Sequence, residues 1–165
     1  MEIQQSEAKN VCKEETMRTL VFIGLLWLAA GGQAAERSKV TNLVPIPLNV
    51  ETIEKLIPAL IKVESGGNDR AVGDNGEAFG CLQIHQAVIT DVKKFTGQPW
   101  QHTDAFDRRK SIVIFKSYIA YYAQKKLIGR EPTLEDAARI WNGGPGGYGK
   151  AATKKYWEKV QKEMK

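Results

Sequence analysis

The sequence predicts a mainly α-helical fold with some α+β character: a single helical domain with a small polar loop or β-hairpin after its first long helix. Three observations predict it. Apolar residues recur at helical spacing through most of the chain beyond residue 50. One polar, glycine-rich stretch, Ser65 to Gly80, interrupts that period near the start. No repeat or low-complexity segment divides the remainder. A chain of 165 residues, 42% apolar and 26% charged, fits one globular domain with a short extension.

Residues 1–34 read as a leader. Leu20 to Ala30 is an uncharged apolar run preceded by Arg18 and followed by Gly32-Gln33-Ala34, the layout of a secretory signal peptide with a small-x-small exit. The run is shorter than the roughly 20 residues that cross a bilayer as a helix. Cleavage after Ala34 is therefore expected, with an uncleaved anchor as the alternative. Residues 1–16 carry four Glu against two Lys, a poor basic start, which points to Met17 as the true initiator. Residues 35–49 read as an extended lead-in, because Pro45 and Pro47 block a helix.

Residues 50–165 form the expected domain. Ile53, Leu56, Ile57, Leu60 and Ile61 follow one face of an amphipathic helix, with Pro58 predicting either a kink or a late start. After the polar loop, a helix from about Gln86 to Phe95 should stop at Gly97. A longer one from about Asp107 to Leu127 should stop at Gly129, with Ile112, Phe115, Ile119 and Tyr122 as its stripe. Thr133 and Asp136 have capping-box spacing and should open a helix through Trp141, ended by the glycines from Gly143 to Gly149. A last helix carries Tyr156, Trp157, Val160 and Met164 on one side.

Composition narrows the chemistry. The net charge of +5 favours a polyanionic partner: nucleic acid, an anionic membrane surface or a bacterial cell wall. Export argues against nucleic acid and leaves the cell wall and the membrane surface; the part after Ala34 holds 21 basic and 15 acidic residues, a net +6. Cys12 leaves with the leader, so Cys81 has no partner for a disulfide, and its neighbours Phe79 and Leu82 suit an inert buried thiol. His85 and His102 lack metal-ligand spacing and read as structural; no metal or organic cofactor is implied.

Glu64 is the informative carboxyl. It lies 11 residues after Ile53, and 11 steps of ~100° return to within ~20° of the same face. A carboxyl on that buried stripe, at the negative end of a helix, loses hydration and retains its proton more readily. A general acid needs that property. Alternatively, Glu64 marks a frayed end and swings into solvent.

The segment ALIKVESGGNDRAVGDNGEAFGCLQI, Ala59 to Ile84, resembles the first motif of the lysozyme-like superfamily, closest to soluble lytic transglycosylases (the SLT domain) and goose-type lysozymes. Its elements are Glu64-Ser65, a glycine-containing loop to Gly76, and Gly80-Cys81-Leu82-Gln83-Ile84. Ala137 to Gly144 resembles their second motif, an aromatic-Asn-small-Gly helix end, and Thr153 with Tyr156-Trp157-x-x-Val160 resembles their closing helix. The likeness spans about residues 50–165 and implies an α+β lysozyme-like fold. It makes Glu64 the acid that protonates a glycosidic oxygen, with either a muramyl 6-hydroxyl or water as the attacking group. Asp74 is the best second carboxylate by that resemblance, or else a turn residue of Asp74-Asn75-Gly76. Two positions depart from the families: Trp141 replaces a Tyr whose hydroxyl reaches the catalytic Glu, and His85 replaces a further Asp.

The resemblance also places Ser65, Gln83 and Asn142 on the sugar, with Trp141 and Tyr148 as stacking rings; at helical spacing Trp141 equally suits the core. Trp100 either lines the cleft or packs. Gly144 to Lys150 matches the spacing of a phosphate-binding loop, but it follows a helix, and Ala151 stands where the Ser or Thr should be. The Lys and Arg pairs fall on solvated helix faces. The expectation is a secreted or periplasmic monomer that cleaves the β-1,4 bond between N-acetylmuramic acid and N-acetylglucosamine in peptidoglycan glycan strands, without nucleic acid or stable membrane insertion. Alternatively, the chain is a non-catalytic cell-wall glycan-binding protein with the same cleft, or a membrane-surface protein held by its leader.

Overall fold

The computed structural model describes residues 48–165, so the expected leader and all but the last two residues of the lead-in lie outside the described residues. Helix α1 runs Val50–Ser65 and opens on a reciprocal cap. The Asn49 side chain accepts from the Thr52 backbone N–H at 2.9 Å, and the Thr52 hydroxyl accepts from the Asn49 N–H at 2.9 Å. The helix does not start late: it continues through Pro58, which lies exposed on its outer face. Leu56, Ile57, Ala59, Leu60 and Ile61 are buried on the inner face.

The polar loop contains the expected hairpin and one strand more. Strands β1 (Val72–Gly73), β2 (Ala78–Phe79) and β3 (Ile84–His85) form an antiparallel sheet in that order. Gly73 pairs with Ala78, and Ala78 pairs with His85 across the next ladder. The turn from β2 to β3 needs Gly80, with φ +74° and the Ala105 carbonyl where a Cβ would stand. Phe79 stacks between His102 and Phe106 at centroid distances of 3.9 and 4.8 Å. The His102 Nε2 lies 2.6 Å from the Ile84 carbonyl, so His102 is structural, as its spacing implied.

Helix α2 (Gln86–Thr96) ends at Gly97 as expected. The long helix is a correction: α3 spans Arg108–Tyr122, and a separate turn, α4, spans Lys125–Ile128 before Gly129. Ala123 leaves helical geometry with ψ 63°, Gln124 is extended, and the Gln124 side chain donates to the Ala120 carbonyl at 2.8 Å. No glycine or proline marks this break, so side-chain periodicity cannot reveal it. The buried stripe of α3 is also rotated, to Ser111, Ile114, Phe115, Tyr118 and Ile119, with Ile112 and Tyr122 only half-buried.

Helix α5 (Leu134–Gly143) opens on the expected Thr133–Asp136 box. Asp136 is only 1% exposed and accepts both arms of the Arg130 guanidinium, at 2.6 and 2.7 Å. Burial alone would raise its proton affinity, but the Arg130 and Thr133 bonds outweigh burial and hold the carboxyl below the ordinary range. The glycine run after α5 is stapled down: buried Arg139 donates to the Thr153 hydroxyl and the Lys150 carbonyl, and the Lys150 Nζ donates to the Gly143 carbonyl. Helix α6 (Lys154–Glu163) then packs against α1 and α5, burying Trp157 and Val160. The shared core runs from Leu56 and Leu60 through Leu82, Ile84 and Phe115 to Ile140.

Replacing Asp136 with Asn should lower stability at pH 7 by roughly 1–3 kcal/mol. Because the folded carboxyl titrates below its unfolded value, its contribution is present above about pH 4. Chemical denaturation against pH should therefore show the wild-type advantage shrinking as pH falls through the folded titration.

Candidate active site

Glu64 is the penultimate residue of α1 and half-buried, so the buried-stripe expectation, not the frayed end, describes it. Its Oε1 accepts a hydrogen bond of 2.6 Å from the Tyr156 hydroxyl, which reaches across from α6. Burial is the largest influence on this carboxyl and pushes its proton affinity up. The Tyr156 bond pulls it down, the Asp74 charge raises it and His85 lowers it, and the net direction is upward. The Tyr156 phenol is itself raised, by burial first and then by Glu64, so it remains a hydroxyl donor.

Ser65 stands next to the acid, but its hydroxyl is engaged by the protein. It reaches the Cys81 carbonyl at 2.9 Å and the Ile61 carbonyl at 3.2 Å, and it accepts from the Gly67 N–H. The end of α1 is thereby tied to the start of the Gly80–Ile84 element. Cys81 is fully buried with its thiol pushed up by burial, which suits an inert group.

Asp74 follows β1 directly and is exposed, with its Oδ2 2.9 Å from the His85 Nε2. The backbone at Asp74 and Asn75 is left-handed, with φ +47° and +55°. Gln83 is also left-handed, at φ +49°. Its Nε2 donates to the Gly80 carbonyl at 2.9 Å, and its Oε1 occupies the space beside Gly73 that a Cβ would fill. Only glycine at 73 lets that amide cross the sheet. Asp74, Gln83 and His85 thus belong to one interlocked end of the sheet, from which both Asp74 and His85 act electrostatically on Glu64.

The family model of the Transglycosylase SLT domain matches residues 49–164. The chain belongs to the transglycosylase SLT family. Among solved structures, this SLT domain is similar to Tapes japonica lysozyme, with 31% identity and a TM-score of 0.56, covering 66% of this chain and 88% of that one. A chain in the complex of Aeromonas hydrophila PliI with Meretrix lusoria lysozyme matches at 30% identity and TM-score 0.57, with the same coverage. Inhibitor-bound Meretrix lusoria lysozyme matches at 28% and 0.57, again over 66% and 88%. No curated protein matches the chain. The fold is lysozyme-like, mainly α with its small antiparallel sheet.

The remaining expected residues of the SLT domain lie on and after α5. Trp141 packs edge-on against Phe115 and Tyr118, with ring centroids 4.9 and 5.8 Å apart, so packing occupies much of its surface. Asn142 is exposed at the end of that helix. Tyr148 donates to the Leu127 carbonyl at 3.3 Å and lines a groove of about 470 Å³ with Tyr121, Tyr122 and Pro145. Trp100 packs on the core and its indole N–H is buried without a partner.

The sequence reading gives neither the Tyr156 bond to Glu64 nor the contact of His85 with Asp74. The absence of a tyrosine at position 141 was the available signal for Tyr156: a hydroxyl missing from α5 can come from the stripe of another helix. Because the folded Glu64 carboxyl titrates above its unfolded value, its contribution to stability is complete below about pH 4 and lost as pH rises. Glu64→Gln should therefore raise the Tm at pH 7, and the gain should vanish in acid when both are followed by thermal melts.

Proposed function

We propose that this protein is an exported enzyme that cleaves peptidoglycan glycan strands at the β-1,4 bond between N-acetylmuramic acid and N-acetylglucosamine. The observation that carries this is the desolvated Glu64 carboxyl, held by Tyr156 at the end of α1 with its proton affinity raised. Membership of the SLT family and likeness to the Tapes japonica and Meretrix lusoria lysozymes support this substrate class. The leader-like Leu20–Ala30 run and the basic charge agree with work outside the cytoplasm on an anionic wall. Among the described residues no helix is long and apolar enough to cross a membrane.

In this scheme the Glu64 proton passes to the glycosidic oxygen as the C1–O bond breaks, and the Tyr156 hydroxyl receives the new carboxylate with a bond already in place. Positive charge develops at C1 and the ring oxygen. Asp74 is the second carboxylate, exposed on the sheet edge and able to take a proton from an attacking water. Ser65 acts by fixing the Glu64 backbone to the loop. Gln83, Asn142 and Tyr148 furnish polar and aromatic contacts to the sugars, Trp141 through the edge its packing leaves open.

Glu64→Gln should abolish turbidity loss of purified peptidoglycan, by at least about 100-fold; equal activity in variant and wild type removes the acid from the scheme. Tyr156→Phe deletes a bond to the carboxylate and so raises the Glu64 proton affinity further. Its basic limb of kcat/KM against pH should move to higher pH, while a shift to lower pH would contradict the assigned donor.

A further inference from the structure

His85 occupies a position where a stabilising residue is given up. It is the N-cap of α2, where Ser, Thr, Asp or Asn would bond the free amides of the first turn, yet its ring makes no capping bond. The imidazole turns instead to Asp74, 2.9 Å away. Asp74 in turn sits at φ +47°, next to Asn75 at +55° and Gly76 at +97°, a left-handed turn that Asp, Asn and Gly enter more readily than other residues and that fixes where the carboxylate stands.

The pair is too exposed to offset the missing cap in fold stability: the two side chains are 43% and 71% accessible, where an ion pair contributes little. The sheet nevertheless aligns them. Gly73 and His85 flank Ala78 on successive strands, which sets Asp74, one residue past β1, beside the end of β3. A cap forgone for an exposed pair that adds little to stability points to a task other than stability. Its direction follows from the neighbour: both partners influence the Glu64 carboxyl, Asp74 raising and His85 lowering its proton affinity.

We propose that His85 is a positioning residue which holds the Asp74 carboxylate toward the Glu64 site, so that water, and not the 6-hydroxyl of the substrate, attacks C1. This rests on Glu64 acting as the acid. The C1–O bond to the leaving sugar breaks as Glu64 gives up its proton. A C1–O bond to water forms, and the water's proton passes to Asp74, from which solvent returns it to Glu64. The product then carries a reducing end. With Asp74 unrestrained, the 6-hydroxyl competes and gives a 1,6-anhydro end, lighter by one water.

The test measures kcat, KM and the mass of released muropeptides for wild type, Glu64→Gln, Asp74→Asn, His85→Ala, His85→Gln and the Asp74→Asn/His85→Ala pair, with Tm confirming each fold. His85→Ala should lose about tenfold in kcat at unchanged KM and shift products toward anhydro ends. His85→Gln, which keeps a donor near the same place, should recover most of the loss and covers the case in which the alanine variant does not fold. The double variant should match Asp74→Asn alone. Additive losses, an unchanged His85→Ala product ratio, or only anhydro ends from wild type would overturn the assignment. Failure here with Glu64→Gln inactive leaves glycan cleavage standing, whereas an active Glu64→Gln removes the function itself.

Discussion

One hydrogen bond, from the Tyr156 hydroxyl to Glu64 Oε1, joins the last helix to the end of the first. It is formed at a place where burial opposes charge on the carboxyl. The two influences act in opposite directions: burial favours the protonated acid, and the phenol favours the carboxylate left after the proton departs. A group poised between them can give up a proton without being stranded in either state. The packing of α6 against α1 fixes that balance, because Trp157 and Val160 anchor the helix that carries Tyr156.

The sheet contributes differently. Its strands are two residues each, too short to stabilise much by themselves. They rest on other supports: Phe79 between two rings, Gly80 against the Ala105 carbonyl, and Ser65 bonded to the Cys81 carbonyl. These contacts let a polar end of the sheet persist beside the helix end, with Asp74 and Gln83 left-handed and His85 extended. The helices make a frame in which the acid is desolvated, and the sheet edge brings exposed polar groups to it.

Much of this was legible because it follows period and capping chemistry. The α1 stripe turned Glu64 toward the buried side, where it is half-buried, Gly97 ended α2, and the Thr133–Asp136 spacing opened α5. Motif resemblance singled out the Glu64–Ile84 segment, and the family match covers the same region. The break at Ala123 was illegible because ordinary residues make it through backbone angles alone. Tyr156 was legible as a stripe residue but not as the partner of Glu64, since a bond between the ends of a domain depends on how α1 and α6 pack. The contact between His85 and Asp74 was not legible, because the two lie 11 positions apart and only the sheet register brings them together. Trp141, whose two possible tasks the sequence left open, packs against Phe115 and Tyr118.

The proton affinity of a single carboxyl underlies the whole scheme, and it can be read directly. Carbon-detected NMR of the Glu64 side-chain carboxyl, followed against pH in the folded protein, should give a midpoint above the ordinary glutamate value of about 4.3. A midpoint at or below that value would mean that Glu64 is ionised like any surface glutamate, and it could not serve as the acid.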